Sequence, residues 1–189
     1  MNNLYWAEVK DGAKVPTKRE EDAGYDIYAC FEEDAMVIPV NAIKMIPTGI
    51  ASAFPSGYVM LLEERGSTGT KGLSRRAGVI DSGFRDEWQV VINNTSNSHI
   101  IISKLSLEEL IEKYKHNEDD RAWFLSINGD NIIMFKNGES SVTIYPYEKA
   151  IAQALFLPLA QADSKTVPYD ELKAMTSERG MGMLGSSEK

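Results

Sequence analysis

Short apolar segments separated by turns dominate the first hundred residues. The segments 4–9, 43–46, 58–62 and 88–92 are rich in β-branched and aromatic residues, as is typical of strands. Turn sequences such as Asp11-Gly12 lie between them. Because these strands do not alternate with helical segments, the pattern predicts an all-β barrel or jelly roll rather than a parallel α/β fold.

Residues 103–146 interrupt this pattern with one amphipathic helix and further strands. Ser106 and Glu109 have the spacing of a capping box, and apolar residues at helical spacing follow. Three strand-like segments come next, with Asn-Gly turns between them; they are residues 122–127, 132–135 and 142–145. We therefore predict that 103–146 form a helix plus a three-stranded meander.

This segment divides the chain into three parts. Residues 1–102 and 147–175 are expected to form the β core, into which 103–146 are inserted, because loops of a β scaffold accept long insertions at little cost. Residues 176–189 are mostly Gly, Ser and charged residues, and they are expected to form a flexible C-terminal arm.

Composition and charge narrow the classes of function. The net charge of −8 argues against a broad nucleic-acid-binding face, and the basic cluster 74–76 is predicted to be a solvated turn. The single cysteine, Cys30, is expected to be a small buried residue in a reducing compartment. No apolar run reaches the length of a membrane span, and the polar start lacks signal-peptide character, which predicts a cytoplasmic protein without a membrane partner. The two histidines form no cluster with zinc spacing.

Five short blocks combine small residues with charged or polar ones. In chain order they are 23–26 (AGYD), 65–71 (RGSTGTK), 78–85 (GVIDSGFR), 152–153 (AQ) and 179–187 (RGMGMLGSS). Each block alone is compatible with an ordinary turn, strand end or tail. Together they indicate loops of a β scaffold that converge on a phosphorylated ligand, with backbone N–H groups and placed cations to hold it.

In order and content these blocks resemble the five motifs of the trimeric dUTP pyrophosphatase (dUTPase) family. The insertion between the third and fourth motifs resembles that of dUTPases from phages of Gram-positive bacteria. The resemblance implies a homotrimer of jelly-roll subunits with the arm closing over the active site. It also implies Mg²⁺-dependent hydrolysis of dUTP to dUMP and pyrophosphate, in the host cytoplasm if the chain is phage-encoded.

The resemblance assigns roles to individual residues. Asp81 would orient and deprotonate the attacking water, and Gln153 would bond a phosphate oxygen and help to position that water. Arg65 would bind the phosphates, and Asp26 would have a supporting role, holding neighbouring loops or metal-bound waters. Mg²⁺ would be bound mainly through the substrate phosphates, with no direct protein ligand assigned. The expected substrate-binding residues are Gly66, Ser67, Thr68, Lys71, Gly78, Val79, Ile80, Phe84, Arg179, Leu184, Gly185, Ser186 and Ser187.

Four positions of this chain can be compared with the residues that the family usually has there. Gly66 stands where the family usually has Ser, and Asp86 where it often has Gly. Leu184 replaces a Phe that stacks on uracil, and an aliphatic side chain lacks the planar face of the ring. Phe84 keeps the aromatic ring that packs on the deoxyribose and would exclude a ribose 2′-hydroxyl.

Two alternatives to a dUTPase follow from the same blocks. The related dCTP deaminases carry a catalytic Glu ten residues beyond the Asp of the third motif, where this chain has Val91, so deamination is not expected. The second alternative is a regulatory protein that binds a repressor or another partner through 103–146, with weak or no catalysis. Sequence reasoning leaves this second alternative open.

Overall fold

The computed structural model of the chain describes residues 3–137 and 142–177, in two compact units, Met1–Leu159 and Ala160–Lys189. In the first unit the described residues form fifteen strands and two helices. The strands are β1 (Tyr5–Glu8), β2 (Gly24–Ile27), β3 (Ala35–Ile38), β4 (Ile43–Pro47), β5 (Ile50–Ala53), β6 (Tyr58–Glu63), β7 (Leu73–Arg76), β8 (Val79–Asp81), β9 (Gln89–Asn94), β10 (His99–Ser103), β11 (Lys115–Glu118), β12 (Ala122–Ile127), β13 (Asp130–Phe135), β14 (Val142–Pro146) and β15 (Ala152–Pro158). The helices are α1 (Gly66–Gly69) and α2 (Leu107–Tyr114).

The second unit is the C-terminal one. Its described residues contain one short helix, α3 (Tyr169–Ala174), with no buried residue. Only residues 176 and 177 of the predicted arm lie within the described part of the chain. Among the described residues, the helices are all too short or too polar to span a bilayer.

The β core is made of small sheets that wrap one apolar interior. The sheets are β2–β15–β6–β8, β4–β9–β7, β14–β10–β3 and the pair β1–β5. Along β9 the inward residues alternate with partly exposed ones, so that Val90 and Ile92 are buried beside the fully buried Trp88. This arrangement is the all-β jelly roll that the spacing of apolar segments predicts.

The four-stranded sheet β2–β15–β6–β8 positions the candidate site. All of its pairs are antiparallel, so residues directly opposite one another project from the same face. One row across the sheet contains Asp26, Gln153 and Glu63. Asp81 lies opposite Val59, four residues before Glu63 on β6, and therefore on the same face.

The opposite face of this sheet belongs to the core. Ala152, Ala154, Met60 and Leu62 alternate with the residues just named and are almost completely buried. The face that carries Asp26, Gln153 and Asp81 is therefore directed out of the core, because neighbouring residues on a strand point to opposite sides.

The insertion contains the predicted helix. Ser106 Oγ accepts a hydrogen bond from Glu109 N (3.2 Å), and the Glu109 carboxylate accepts one from Ser106 N (2.7 Å), which confirms the capping box. The turn at Asn128 and Gly129 also forms as predicted, with φ values of 50° and 87° between the paired strands β12 and β13.

One of the three strands predicted for the meander is wrong. The third strand beside β12 and β13 is β11, which follows α2 directly. The predicted strand at residues 142–145 instead pairs in parallel with β10 in the core. The segment of β11 is Lys-His-Asn-Glu, which carries no strand signal, and the pairing of β14 depends on contacts distant in sequence, which the local pattern does not contain.

A second apolar cluster joins the insertion to the core. Leu110 of α2 and Leu125 and Ile132 of the meander pack with Val37 and Ile101 of β3 and β10. The inserted segment therefore uses the outer face of the sheet β14–β10–β3 as part of its own interior.

Two further predictions concern single segments. The cluster 74–76, predicted as a solvated turn, forms strand β7 instead, and Arg75 pairs with Glu63 (2.9 Å). Its flanking Leu73 is fully buried, which places the cluster in a sheet rather than in a loop. Cys30 is a buried free thiol, as expected.

Candidate active site

An open polar cavity of about 770 Å³ lies between the loop that precedes β2, the junction of β6 with α1, and the start of β15. Its described lining residues are Thr17, Lys18, Arg19, Glu21, Asp22, Ala23, Gly24, Asp26, Arg65, Gly66, Ser67 and Gln153. Three of the five sequence blocks meet here, since AGYD, RGSTGTK and AQ each contribute residues to the lining.

Arg65 is held by contacts on both sides of its guanidinium group. Its Nε lies 2.9 Å from Asp26 Oδ1, and its Nη1 donates to Ala150 O at 3.3 Å. The backbone of Arg65 is fixed as well, because Thr68 Oγ1 accepts from Arg65 N and donates to Arg65 O, each at 2.9 Å. Thr68 is fully buried, so its hydroxyl holds the turn that presents Arg65.

The rest of the RGSTGTK block surrounds Arg65. Gly66 and Ser67 are exposed and line the cavity, and Ser67 Oγ lies 3.4 Å from Arg65 Nη1. Lys71 lines a smaller adjoining cavity of about 320 Å³, where its Nζ lies 5.5 Å from the centre of the Tyr145 ring. The predicted glycine-rich loop is thus a four-residue helical turn with cations at both ends.

Gln153 is oriented by the strand beside it. Its Nε2 donates to Glu64 O at 2.8 Å, which leaves Oε1 next to Gly24, where a Cβ atom would lie only 3.1 Å away. The Glu64 carboxylate accepts hydrogen bonds from Arg75 N (2.7 Å) and Ser74 Oγ (3.3 Å). The Arg75 backbone bond is the main reason that the pKa of Glu64 is lowered.

Asp81 and Phe84 lie on a turn at the other end of the same sheet face. Phe84 N donates to Asp81 O (3.1 Å), and Arg85 Nη1 donates to Ser82 O (2.6 Å), which together close the turn after β8. Asp81 is exposed, and Phe84 is 40% exposed. Four residues along β6 separate the Asp81 row from the Gln153 row, a distance of about 13 Å.

One copy of the chain therefore assembles part of the predicted constellation. Arg65, Asp26, Gln153, Gly66 and Ser67 come together at the cavity, whereas the segment that ends in Asp81 is absent from its described lining. The sequence-predicted residues that fall outside the described part of the chain are Arg179, Leu184, Gly185, Ser186 and Ser187.

The residues that precede Asp81 have different surroundings. Gly78 is buried, its carbonyl accepts a hydrogen bond from Leu62 N (2.7 Å), and a Cβ atom there would lie 2.6 Å from Leu62 O. Ile80 belongs to the core, and Val79 is 62% exposed on the outward face.

Sequence reasoning missed the loop 17–22 as part of the cavity. Lys18 and Arg19 both line it, although they belong to none of the five blocks. The available signal was a pair of basic residues that three acidic residues separate from AGYD, in a chain of net negative charge.

The fold and the cavity define a β jelly-roll protein with an open polar cavity that contains both basic and acidic side chains. The sequence model of the dUTPase family matches residues 11–106, about half of the chain, and the chain belongs to this family.

Known relatives agree with this membership. A segment of 113 residues is 33% identical to the Pol polyprotein of equine infectious anemia virus (strain Wyoming), and it covers 59% of this chain and 10% of that protein. The chain thus spans about a tenth of the length of the curated polyproteins it matches. The deoxyuridine 5′-triphosphate nucleotidohydrolase of Leptospira interrogans is 28% identical over 103 residues, which are 52% of this chain and 70% of the relative.

Solved structures match along nearly the whole chain. The dUTPase of Staphylococcus bacteriophage 80alpha, bound to dUpNHpp, is 25% identical, with a TM-score of 0.67 over 100% of both chains. The dUTPase from phage phi11 of S. aureus, described as showing a species-specific insert, is 22% identical, with a TM-score of 0.60 over 88% of this chain and 96% of that one.

Proposed function

We propose that this chain is a dUTP diphosphatase that hydrolyses dUTP to dUMP and pyrophosphate. The observation that carries the proposal is the convergence of Arg65, Asp26 and Gln153 on one polar cavity in a member of the dUTPase family. Asp81, on the same sheet face, and Phe84, in the turn that follows it, supply the remaining groups that such a reaction needs.

The reaction is an in-line displacement at the α-phosphate. Asp81 accepts a proton from a water molecule, whose oxygen forms a bond to the α-phosphorus while the bond to the bridging oxygen breaks and pyrophosphate leaves. Arg65 binds phosphate oxygens bidentately, and its pairing with Asp26 keeps the guanidinium aimed at them. In this proposal the Oε1 atom of Gln153 accepts a hydrogen bond from the attacking water, and the bond from Nε2 to Glu64 O fixes the orientation of the amide.

The donor set of the cavity fits Mg²⁺ as the cofactor. The cavity presents carboxylates from Glu21 and Asp26, and the described residues contain no cluster of three or more His, Cys, Asp or Glu that could hold a metal alone. Mg²⁺ prefers oxygen ligands, retains waters and is commonly completed by substrate phosphates. When bound, it neutralises phosphate charge; Asp26 would hold it through water.

The separation of Asp81 from Gln153 supports a site shared between copies. About 13 Å is too far for one carboxylate and one amide to position the same water. Between their rows lies an apolar row of Leu155, Leu61 and the exposed Val79, which suits burial against a second copy. We propose a homotrimer in which one chain supplies Asp81 and Phe84 and a neighbour supplies Arg65 and Gln153.

Substrate choice is assigned to the turn after β8. The exposed ring of Phe84 packs against the deoxyribose and leaves no room for a 2′-hydroxyl, which excludes UTP. The backbone around it reads uracil through hydrogen bonds, and residues 179 and 184–187 of the arm close over the phosphates in this proposal.

The test is pyrophosphate release from dUTP, with dCTP, dTTP and UTP as competing substrates, with Mg²⁺ and after its removal by EDTA. We expect metal-dependent release from dUTP alone. The Asp81→Asn variant should keep binding of a non-hydrolysable dUTP analogue and lose at least a hundredfold in turnover, because general-base catalysis contributes factors of about 10² to 10⁴. Release from UTP at a similar rate would contradict the role of Phe84, and a fully active Asp81→Asn variant that of Asp81.

A second candidate function is binding of a protein partner through the insertion, 103–146. Its meander carries Ile133 and Phe135, each 44% exposed, on the outward side of β13. The similar phage 80alpha protein is described as controlling transfer of virulence genes by a proto-oncogenic G protein-like mechanism. In this reading nucleotide binding regulates the partner, and wild-type protein that binds the dUTP analogue but releases no pyrophosphate would favour it over catalysis.

A further inference from the structure

The loop 17–22 forms one wall of the polar cavity and carries two cations outside the five sequence blocks. We propose that Lys18 and Arg19 bind the distal phosphates of the substrate, and that Asp22 holds Arg19 until the substrate arrives. This inference rests on the proposed function and adds residues that select a triphosphate over a monophosphate.

The loop has a defined shape because it is bonded to itself and to β2. Asp26 N donates to Thr17 O (3.0 Å), which joins the start of the loop to the strand that carries Asp26. Lys18 Nζ donates to Asp22 O (2.8 Å), and Asp22 N donates to Arg19 O (3.2 Å). The two cations are therefore presented by a closed turn rather than by a loose segment.

Across the sheet, Asp26 lies between the start of this turn and Gln153. Thr17, Asp26 and Gln153 follow one another across neighbouring strands, so the loop begins two strand spacings, about 10 Å, from Gln153. The α-phosphate must lie near Gln153 in the proposed reaction. The phosphates that continue along the chain then extend toward the loop, within reach of two long side chains.

Arg19 can exchange the carboxylate of Asp22 for a phosphate. Its Nε and Nη2 lie 2.9 Å and 2.8 Å from the two carboxylate oxygens of Asp22, a bidentate geometry that phosphate oxygens can replace. The Arg19 side chain is 88% exposed, and exposed ion pairs are weak. A polyphosphate carries more charge than one carboxylate and can therefore displace Asp22.

The lining of the cavity suits phosphates rather than a base or sugar. Among its described residues there is no aromatic or large apolar side chain. Lys18, Arg19 and Arg65 are balanced by Glu21, Asp22 and Asp26, in a protein of net charge −8. A bound triphosphate thus needs all three cations, since the surrounding protein is otherwise repulsive to it.

The experiment compares affinity for a non-hydrolysable dUTP analogue and for dUMP by isothermal titration calorimetry. Arg19→Ala should lower the affinity for the analogue about tenfold, which is the loss expected for one charge-assisted contact, and should leave the affinity for dUMP unchanged. Lys18→Ala should act in the same direction. Asp22→Asn should raise the affinity for the analogue, because it removes a carboxylate that competes for Arg19. A gain in one variant and a loss in the other distinguishes an electrostatic effect from misfolding.

The matched control is Arg121→Ala, which removes an exposed cation of the insertion and should change neither affinity. Equal losses for the analogue and dUMP, or no loss for the analogue, would overturn the inference. Wild-type protein that binds the analogue with these differences but does not release pyrophosphate would contradict the proposed catalysis and leave the phosphate contacts standing.

Discussion

Gly78 lies where two stretches of backbone approach too closely for a side chain. A Cβ atom at this position would lie 2.6 Å from Leu62 O and 2.7 Å from Arg75 Cδ. We expect Gly78→Ala to lower the free energy of unfolding by about 1–3 kcal/mol, the usual cost of overpacking a close contact. Urea unfolding followed by tryptophan fluorescence measures this change.

Gly57→Ala is the matched control for this substitution, because a Cβ atom there meets nothing within 4 Å. It should be neutral or slightly stabilising, since it reduces the entropy of the unfolded chain. A Gly78→Ala variant as stable as Gly57→Ala would show that the backbone around Leu62 relaxes easily. The family motif thus contains a residue that packing alone explains.

Gln153 illustrates how far sequence reasoning reaches at the scale of one residue. The AQ block identified it, and the resemblance assigned it to a phosphate oxygen and to the attacking water. The orientation of its amide depends on Glu64 O, a partner 89 residues earlier. No local pattern contains that hydrogen bond, and it is what leaves Oε1 available as an acceptor.

At the scale of elements, Asp34 fastens helix α2 to the core. Its carboxylate accepts hydrogen bonds from Lys113 Nζ and from Tyr114 Oη (2.6 Å). The Lys113 bond and then the Tyr114 bond lower the pKa of Asp34, and the same contact raises the pKa of Tyr114 to about 12. The stabilisation is therefore present above the ordinary pKa of 3.8 and is lost as the pH falls through the lower folded value.

We expect Asp34→Asn to lower the urea midpoint at pH 7 and to flatten the fall in stability between roughly pH 5 and pH 2. Urea unfolding at several pH values across this range measures both effects. Asp130→Asn is a control at a partly exposed carboxylate, where Lys44 lies 3.8 Å away. Parallel pH profiles for wild type and Asp34→Asn would contradict the role of this carboxylate.

In the insertion, features that depend on neighbouring residues were predictable from the sequence, whereas the pairing of strands was not. The capping box at Ser106 and the Asn-Gly turn act within a few residues, so the sequence predicted both. The neighbour of β12 was not predictable in this way, because β11 is entirely polar and exposed whereas β14 has the composition of a strand. Packing on β3 and β10 decides the choice, since Val142 and Ile101 share one cluster.

At the scale of the whole molecule, the proposed shared site predicts how assemblies that contain two different variants behave. Asp81→Asn and Arg65→Ala variants should each be inactive alone. When they are unfolded and refolded together in equal amounts, about a quarter of the sites should combine an intact Asp81 with an intact Arg65 from a neighbour, as for random subunits in a closed ring. Pyrophosphate release from dUTP measures the recovered activity.

The control for mixing is the same pair of variants combined after separate refolding, where subunits have not exchanged. A site built within one chain would show no recovery in either case, and this result would overturn the shared-site proposal. Analytical ultracentrifugation of the refolded mixture checks that the expected trimer has formed.

The sequence by itself determined the β class, the capped helix, the hairpin turn and the residues of the five blocks. These depend on side-chain period, backbone preference and short spacing, which are all local properties. Only the tertiary structure decided which strands pair, that Arg19 faces the same cavity as Arg65, and that Asp81 lies about 13 Å from the Gln153 row. Those facts follow from strand register and from the burial of apolar faces by residues far apart in the chain.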